Sequence, residues 1–251
     1  MDEVTIQYRI PLSKKDLRSP VMIEGLPGIG HVGKLVAEHL IRELSAETCA
    51  EVHSFYFPPH AIIDEDGVIR LANNEISLYR GDDRDYLFIT GDYQSGENIG
   101  HYVLADAFVN LAADLGVTRI YTIGGFGVGH LVEEPRVLAA VNRADLREGV
   151  EAAGAFFHRD EPAGGIVGAA GLIPGFAAIR GIEGVCLMGE TSGYLVDPKS
   201  AASLLKVLSA LTGLVADPTK LHERGAEMER ALQRLIEGQQ ASQDEELRYI
   251  G

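Results

Sequence analysis

The sequence predicts an α/β protein: a mostly parallel sheet with helices on both faces, plus a C-terminal helical hairpin. Three observations predict it. Short apolar runs suited to strands alternate with segments whose apolar residues recur at helical spacing, the pattern of parallel pairing with right-handed crossovers. Glycine-rich turns follow those strands at residues 25, 91, 124 and 189, where a parallel sheet collects them along one edge. After Tyr194 the strand-like runs cease, and Asp197-Pro198 and Asp217-Pro218 each supply an N-cap acid with proline at the first helical position. The chain divides accordingly into an α/β body over 1–194, a helical hairpin over 195–238, and a polar tail with an apolar end over 239–251.

Residues 4–10 alternate apolar and polar as a half-buried strand. Val21-Met22-Ile23 is a buried strand, Gly25 to Gly33 a glycine-punctuated turn, and Val32, Leu35, Val36 and Leu40 the apolar face of a helix. Residues 51–90 read as β-rich: a strand over Glu51–Phe57, short runs at 61–63 and 67–71 joined by a hairpin-type turn, then Glu75 to Tyr79. Tyr86 to Ile89 is buried strand, and Ile99, Val103, Ala107 and Leu111 mark a helix that Gly116 stops. Ile120 to Ile123 is strand, and Gly124 to His130 a loop. Val137 to Val141 is strand, Arg143 to Ala153 helix, Gly164 to Ile179 a turn and a small-residue helix, and Val185 to Met188 the last strand. In the hairpin, Ala201, Leu204, Leu205, Leu208 and Leu211 share one helix face, and Leu221, Gly225, Met228, Leu232 and Leu235 share the other.

A chain of 251 residues with 46% hydrophobic residues and 29 glycines suits one large α/β domain, or one domain with a smaller appendage, with many tight turns. Its net charge of −15 argues against nucleic acid and anionic membranes, both of which need a basic face. Cys49 and Cys186 have no metal or redox spacing and read as buried thiols in a reducing cytoplasm. The amino terminus has no apolar signal segment. The uncharged run 162–179 reaches membrane-span length, but Pro174 and five glycines interrupt it.

Two nucleotide motifs are almost present. Gly28, Gly30 and Gly33 have dinucleotide-fingerprint spacing, but the strand ending Tyr56-Phe57-Pro58-Pro59 lacks the ribose-binding acid. Gly28 to Gly33 followed by Lys34 begins a phosphate loop, but Leu35 stands where a magnesium-ligating Ser or Thr belongs. Both fail at the residue that does the chemistry, so the glycines read as packing and turning positions, with weak anion binding left open at the helix amino terminus. The four loops nonetheless form a ligand crevice whose candidate residues are Glu24, Gly28, Gly30, Gly33, Lys34, Asp92, Gln94, Gly125, Gly127, His130 and Glu190. Convergence of two acids with His130 would permit general acid–base work. Serine stands one place too late for a nucleophile elbow at Gly189-Glu190-Thr191-Ser192-Gly193, and the eight histidines include no zinc spacing. No metal, cofactor or catalytic residue is expected.

GLPGIGHVGK (25–34), TGDYQ (90–94), GGFG (124–127) and above all GLIPGFAAIRGIEGVCLMGETSGYLVDPKSAA (171–202) resemble the archaeal proteasome assembly chaperone family, of PAC2 type. The resemblance implies an α/β body with a helical C-terminal region, oligomeric assembly, and a non-enzymatic role in building the proteasome α-ring, with α subunits as partners. It also implies a partner-binding tail ending hydrophobic–Tyr–any residue. Here Leu247, Tyr249, Ile250 and Gly251 stand at the end, and tyrosine is third from last rather than penultimate. The alternative is an enzyme or small-ligand binder that uses the crevice. Apolar stripes on both hairpin helices, with the uncharged run 162–179, suggest a homo-oligomer.

Overall fold

The computed structural model of the protein describes residues 2–64, 66–157 and 164–230. Four apolar runs form the centre of its sheet: β2 (Val21–Glu24), β7 (Asp85–Gly91), β8 (Arg119–Gly127) and β10 (Glu183–Thr191). They pair parallel in the order β7-β2-β8-β10. Strands covered on both faces are apolar throughout, and all four residues of β2 are buried.

The flanks run the other way. β1 (Val4–Tyr8), β3 (Glu47–Ser54) and β6 (Asn74–Arg80) extend the sheet beyond β7 by antiparallel pairing, and β9 (Val137–Val141) closes the far side antiparallel to β10. The eight-stranded order is β1-β3-β6-β7-β2-β8-β10-β9. The expected mostly parallel sheet is thus parallel only at its centre, because the segment from β3 through β7 turns back without crossover helices. β4 (Ala61–Ile63) and β5 (Ile69–Leu71) form a separate antiparallel hairpin.

Helices cover both faces. α1 (Val32–Glu43) and α5 (Pro198–Thr212) lie on one; α2 (Asn98–Asp114) and α4 (Ala169–Ile179) lie on the other. Alternation along β2 sends Val21 and Ile23 into the core with Val36, Leu40 and Leu204, and Met22 into the core with Leu104, Phe108 and Ile173. Glu24 falls on the Met22 face. α3 (Arg147–Ala152) adds Val150 to the first core.

The hairpin begins as expected. Asp197 caps α5 by accepting from the Ser200 amide at 3.0 Å, and Asp217 accepts from the Thr219 amide at 3.0 Å before the helical residues 221–230. Ala201, Leu204, Leu205 and Leu208 are buried in the chain's own core, as are Leu221 and Met228. Arg224 ties the second helix to α1, donating to the His39 carbonyl at 2.9 Å and to Glu43 at 2.5 Å. Leu232, Leu235 and the tail lie outside the described residues.

Three expectations are displaced. The strand placed at Glu51–Phe57 runs over Glu47–Ser54, since the aromatic run that suggested it belongs to the following turn. In α2 the buried stripe is Gly100, Leu104, Phe108 and Leu111, while Ile99 is 57% exposed. Gly124 to Gly127 is strand rather than loop, pairing with Met188 to Thr191 of β10.

Candidate functional site

The crevice arises where strands of unequal length lie side by side. β2 ends at Glu24, which pairs with Thr122, and β8 runs on through Gly127 without β2 beside it. The loop after β2 folds back over that extension. Gly30, at φ 62°, makes the turn, and its carbonyl accepts from the Asp197 amide at 3.0 Å. Contact is close enough that a Cβ on Gly125 would stand 2.1 Å from the Ile29 carbonyl oxygen.

The result is a cavity of about 520 Å³ on the α2/α4 face. Of the residues expected from sequence, Glu24, Gly28, Gln94, Gly125 and Gly127 line it. Gln94 holds its wall: the side-chain amide donates to the Pro27 carbonyl at 2.8 Å, and its oxygen accepts from the Ala169 amide at 3.1 Å. The loop after β2 is thereby fastened to the start of α4. Thr122 adds a second link from below, donating to the Ala170 carbonyl at 2.8 Å.

The other candidates do not converge there. Gly33 is a packing residue, since a Cβ would lie 2.0 Å from the Ile123 carbonyl oxygen. Lys34 donates to the Gly91 carbonyl at 2.6 Å and pairs with Glu38 at 3.3 Å. Asp92 accepts both Arg70 nitrogens at 2.6 and 3.0 Å; burial pushes its carboxyl up, but Arg70 outweighs this and holds it below its ordinary value. Glu190 is clasped by Arg136 at 2.6 Å. Exposed His130 turns its ring toward the Val128 carbonyl at 3.0 Å. The acid–acid–histidine constellation is therefore not assembled. Leu247, Tyr249, Ile250 and Gly251 lie outside the described residues.

The nucleotide motifs fail structurally as well as chemically. A dinucleotide site needs the phosphate-binding and ribose-binding strands side by side. Here β3, which follows α1, is separated from β2 by β7 and β6. The glycine spacing serves close packing instead.

Glu24 is the chemically unusual group. Its Oε1 accepts from the Leu26 amide at 3.0 Å, and its Oε2 is buried with no hydrogen-bond partner among the described residues. Burial pushes the carboxyl up to about 8, so it is protonated at neutral pH. His101 of α2, also on the cavity wall, is lowered by burial and uncharged there. Sequence reasoning missed His101 together with Ile166, Val167 and Met188, which complete the wall. Knowing the buried face of α2 would have brought His101 within reach, one residue from Gly100.

Comparison with known proteins places this architecture. The PAC2 family model matches residues 22–236. An uncharacterized protein of Methanocaldococcus jannaschii is 38% identical over 244 residues, covering 94% of this chain and 93% of the relative. The crystal structure of Pyrococcus furiosus PbaB, described as an archaeal proteasome activator, is 40% identical with a TM-score of 0.83, covering 94% of this chain and all of that one. Pyrococcus furiosus PbaA, described as an archaeal homolog of proteasome-assembly chaperone, shares the fold at 24% identity and a TM-score of 0.76, over 96% of this chain and 99% of that one. By the extent of the family match and of its relatives, this chain belongs to the PAC2 family.

Proposed function

We propose that this chain is a non-enzymatic, chaperone-like protein of the cytoplasm that assists assembly of the proteasome α-ring, binding α subunits as a homo-oligomer. The observation that carries the reading is the likeness to PbaB, 40% identical along the whole length of that chain. Two features agree with it. Asp92, Glu190 and His130, which sequence suggested for catalysis, are engaged in separate contacts. Both cysteines are buried free thiols, which suits a reducing compartment.

A second reading, stimulation of the assembled proteasome, is favoured because the 40%-identical relative is described as an activator. Mixing the protein with free α subunits and, separately, with assembled proteasomes and a fluorogenic peptide distinguishes the two. Assembly activity speeds ring formation seen by native electrophoresis, and activation raises peptide hydrolysis. If neither changes and no α subunit co-purifies, both readings fall.

The tail is the proposed point of contact. Tyrosine buries a large rigid ring while its hydroxyl still finds a partner, and Leu247, Tyr249 and Ile250 form an apolar cluster after a polar stretch of sequence. Deleting residues 247–251 is expected to leave folding and self-association intact and to abolish α-ring binding in a pull-down. Undiminished binding by the truncated protein would move the docking surface elsewhere.

For self-association the hairpin β4–β5 is the better surface than the C-terminal helices, whose described apolar stripes are largely buried within the chain. Ile63, Ile69 and Leu71 are exposed by 65%, 68% and 58%, and neighbouring Phe55 by 65%. Clustered exposed apolar side chains mark association surfaces. Light scattering should give a multiple of 27.1 kDa for the parent protein and a smaller particle for the Ile63→Asp/Ile69→Asp variant. A 27 kDa particle for the parent at micromolar concentration refutes the oligomer.

A further inference from the structure

The proposed function makes no use of the crevice, although its construction is that of a binding site. At about 520 Å³ its volume suits a small molecule. The wall is mainly apolar, with Leu26, Ile29, Phe126, Ile166 and Met188, and floor space is left by the missing side chain of Gly124. A Cβ on Gly124 would meet only Ala170, at 3.9 Å, so that position faces open volume on the same side as Glu24.

We propose that this crevice binds an uncharged, largely apolar small molecule that presents a hydrogen-bond acceptor, such as an amide carbonyl, to the carboxyl of Glu24. Three observations select that class. Among the described residues no lysine or arginine lines the cavity, and Lys34 is spent on Gly91 and Glu38, so those residues offer a buried phosphate or carboxylate no counter-charge. Oε2 of Glu24 is a buried polar atom with no hydrogen-bond partner among the described residues, on a residue only 2% exposed, and such atoms normally find one. Protonated at neutral pH, the carboxyl has an O–H to donate from Oε2 while Oε1 still accepts from the Leu26 amide. A cationic amine would require Glu24 to ionise first and then hold a buried ion pair, with a desolvation cost a neutral acceptor avoids.

The titration of Glu24 is separable from its surroundings. His101 faces the cavity from α2 and is uncharged from neutrality upward. Cys186 approaches from β10, its thiol pushed up to about 12 by burial. The other lining residues, including those of the β2 loop and α4, carry no titratable side chain. Between pH 7 and 9, Glu24 is the group of this set that changes charge.

The test uses three probes of one shape, benzamide, benzylamine and benzoate, by saturation-transfer NMR on the full chain. Benzamide is expected to bind saturably, with a dissociation constant on the order of 1–10 mM for so small a ligand. Benzoate is expected to give no saturable signal. Benzamide affinity should fall about tenfold between pH 7 and 9 as Glu24 ionises. Glu24→Gln, which donates at either pH, should bind benzamide equally at both. Gly124→Leu, whose Cβ would meet nothing nearer than Ala170 at 3.9 Å, puts a side chain into the cavity and should abolish the signal, while circular dichroism checks the fold. Absence of benzamide binding to the parent protein overturns the proposal, as does binding that survives Gly124→Leu. Preference for benzylamine, or an affinity indifferent to pH in the parent, overturns the neutral-acceptor assignment.

Discussion

The parallel centre of the sheet and the separate antiparallel hairpin β4–β5 treat their side chains in opposite ways. Every residue of β2 and six of the seven in β7 are buried, while no residue of the β4–β5 hairpin is. In the centre, backbone meets backbone: Gly25 abuts Gly33, Gly33 abuts Ile123, and Gly125 abuts Ile29. In the hairpin, Ile63 and Ile69 meet solvent within their own chain. What lies beyond the Cβ position decides which changes a site tolerates. The centre is consequently the place for a shaped cavity, and the hairpin the place for a surface another protein can cover.

The most severe test of that contrast is Gly33→Ala. A Cβ there would stand 2.0 Å from a backbone oxygen that no side-chain rotation can move. We expect a loss of about 4 kcal/mol or no folded protein, against a change within about 1 kcal/mol for Gly124→Ala in the adjoining strand. Urea unfolding of both variants checks it, and a Gly33→Ala midpoint close to the parent's would break the contrast.

Glu24→Gln sharpens it with an effect that appears only as pH rises. The folded carboxyl titrates near 8, above its unfolded value near 4.5. The folded state therefore holds the proton more tightly, and stability falls as pH rises from about 4.5 to 8, then levels off. Glutamine escapes that loss, so the variant should gain stability relative to the parent, by roughly 4 kcal/mol at pH 9 and close to nothing below pH 4. Thermal melts across that range read the sign, and a gap that does not widen with pH would show that Glu24 is not buried as a neutral acid.

The smallest effect belongs to the β4–β5 hairpin. Ile63→Asp/Ile69→Asp should alter the unfolding free energy of the single subunit by no more than about 0.5 kcal/mol, measured at a dilution where light scattering finds one chain. A larger loss would mean that the hairpin supports its own fold rather than an association surface.

The same contrast explains what was legible in the sequence. Strands covered on both faces write themselves as unbroken apolar runs, so Val21–Ile23, Tyr86–Ile89, Ile120–Ile123 and Val185–Met188 were recognisable. Strand direction was not, because β1, β3 and β6 join the sheet antiparallel while helices still separate parts of the chain. The extension of β8 was hidden because glycine has no β preference of its own; pairing with β10 alone holds Gly124 to Gly127 extended. Among the candidate site residues, Glu24 and Gln94 lie where the loop logic put them, just beyond strand ends. Asp92 and Glu190 occupy equivalent positions in sequence, but Arg70 and Arg136, far off along the chain, neutralise them. Nothing local to an acid announces such a partner.

The placement of β2 has a consequence for how this protein comes into being. Residues 21–24 pair with residues 86–89 on one side and 119–122 on the other. A ribosome adding roughly 5–20 residues per second delivers Val21 about 5–20 s before the segment that completes its pairing. Until residues 86–89 have been made the apolar strand has neither neighbour, and until residues 119–122 have been made it has one. Such distant pairings also slow refolding, since the intervening chain must be closed into loops before the contacts reward it. The first of the central strands to be made thus waits for two others before it is secured.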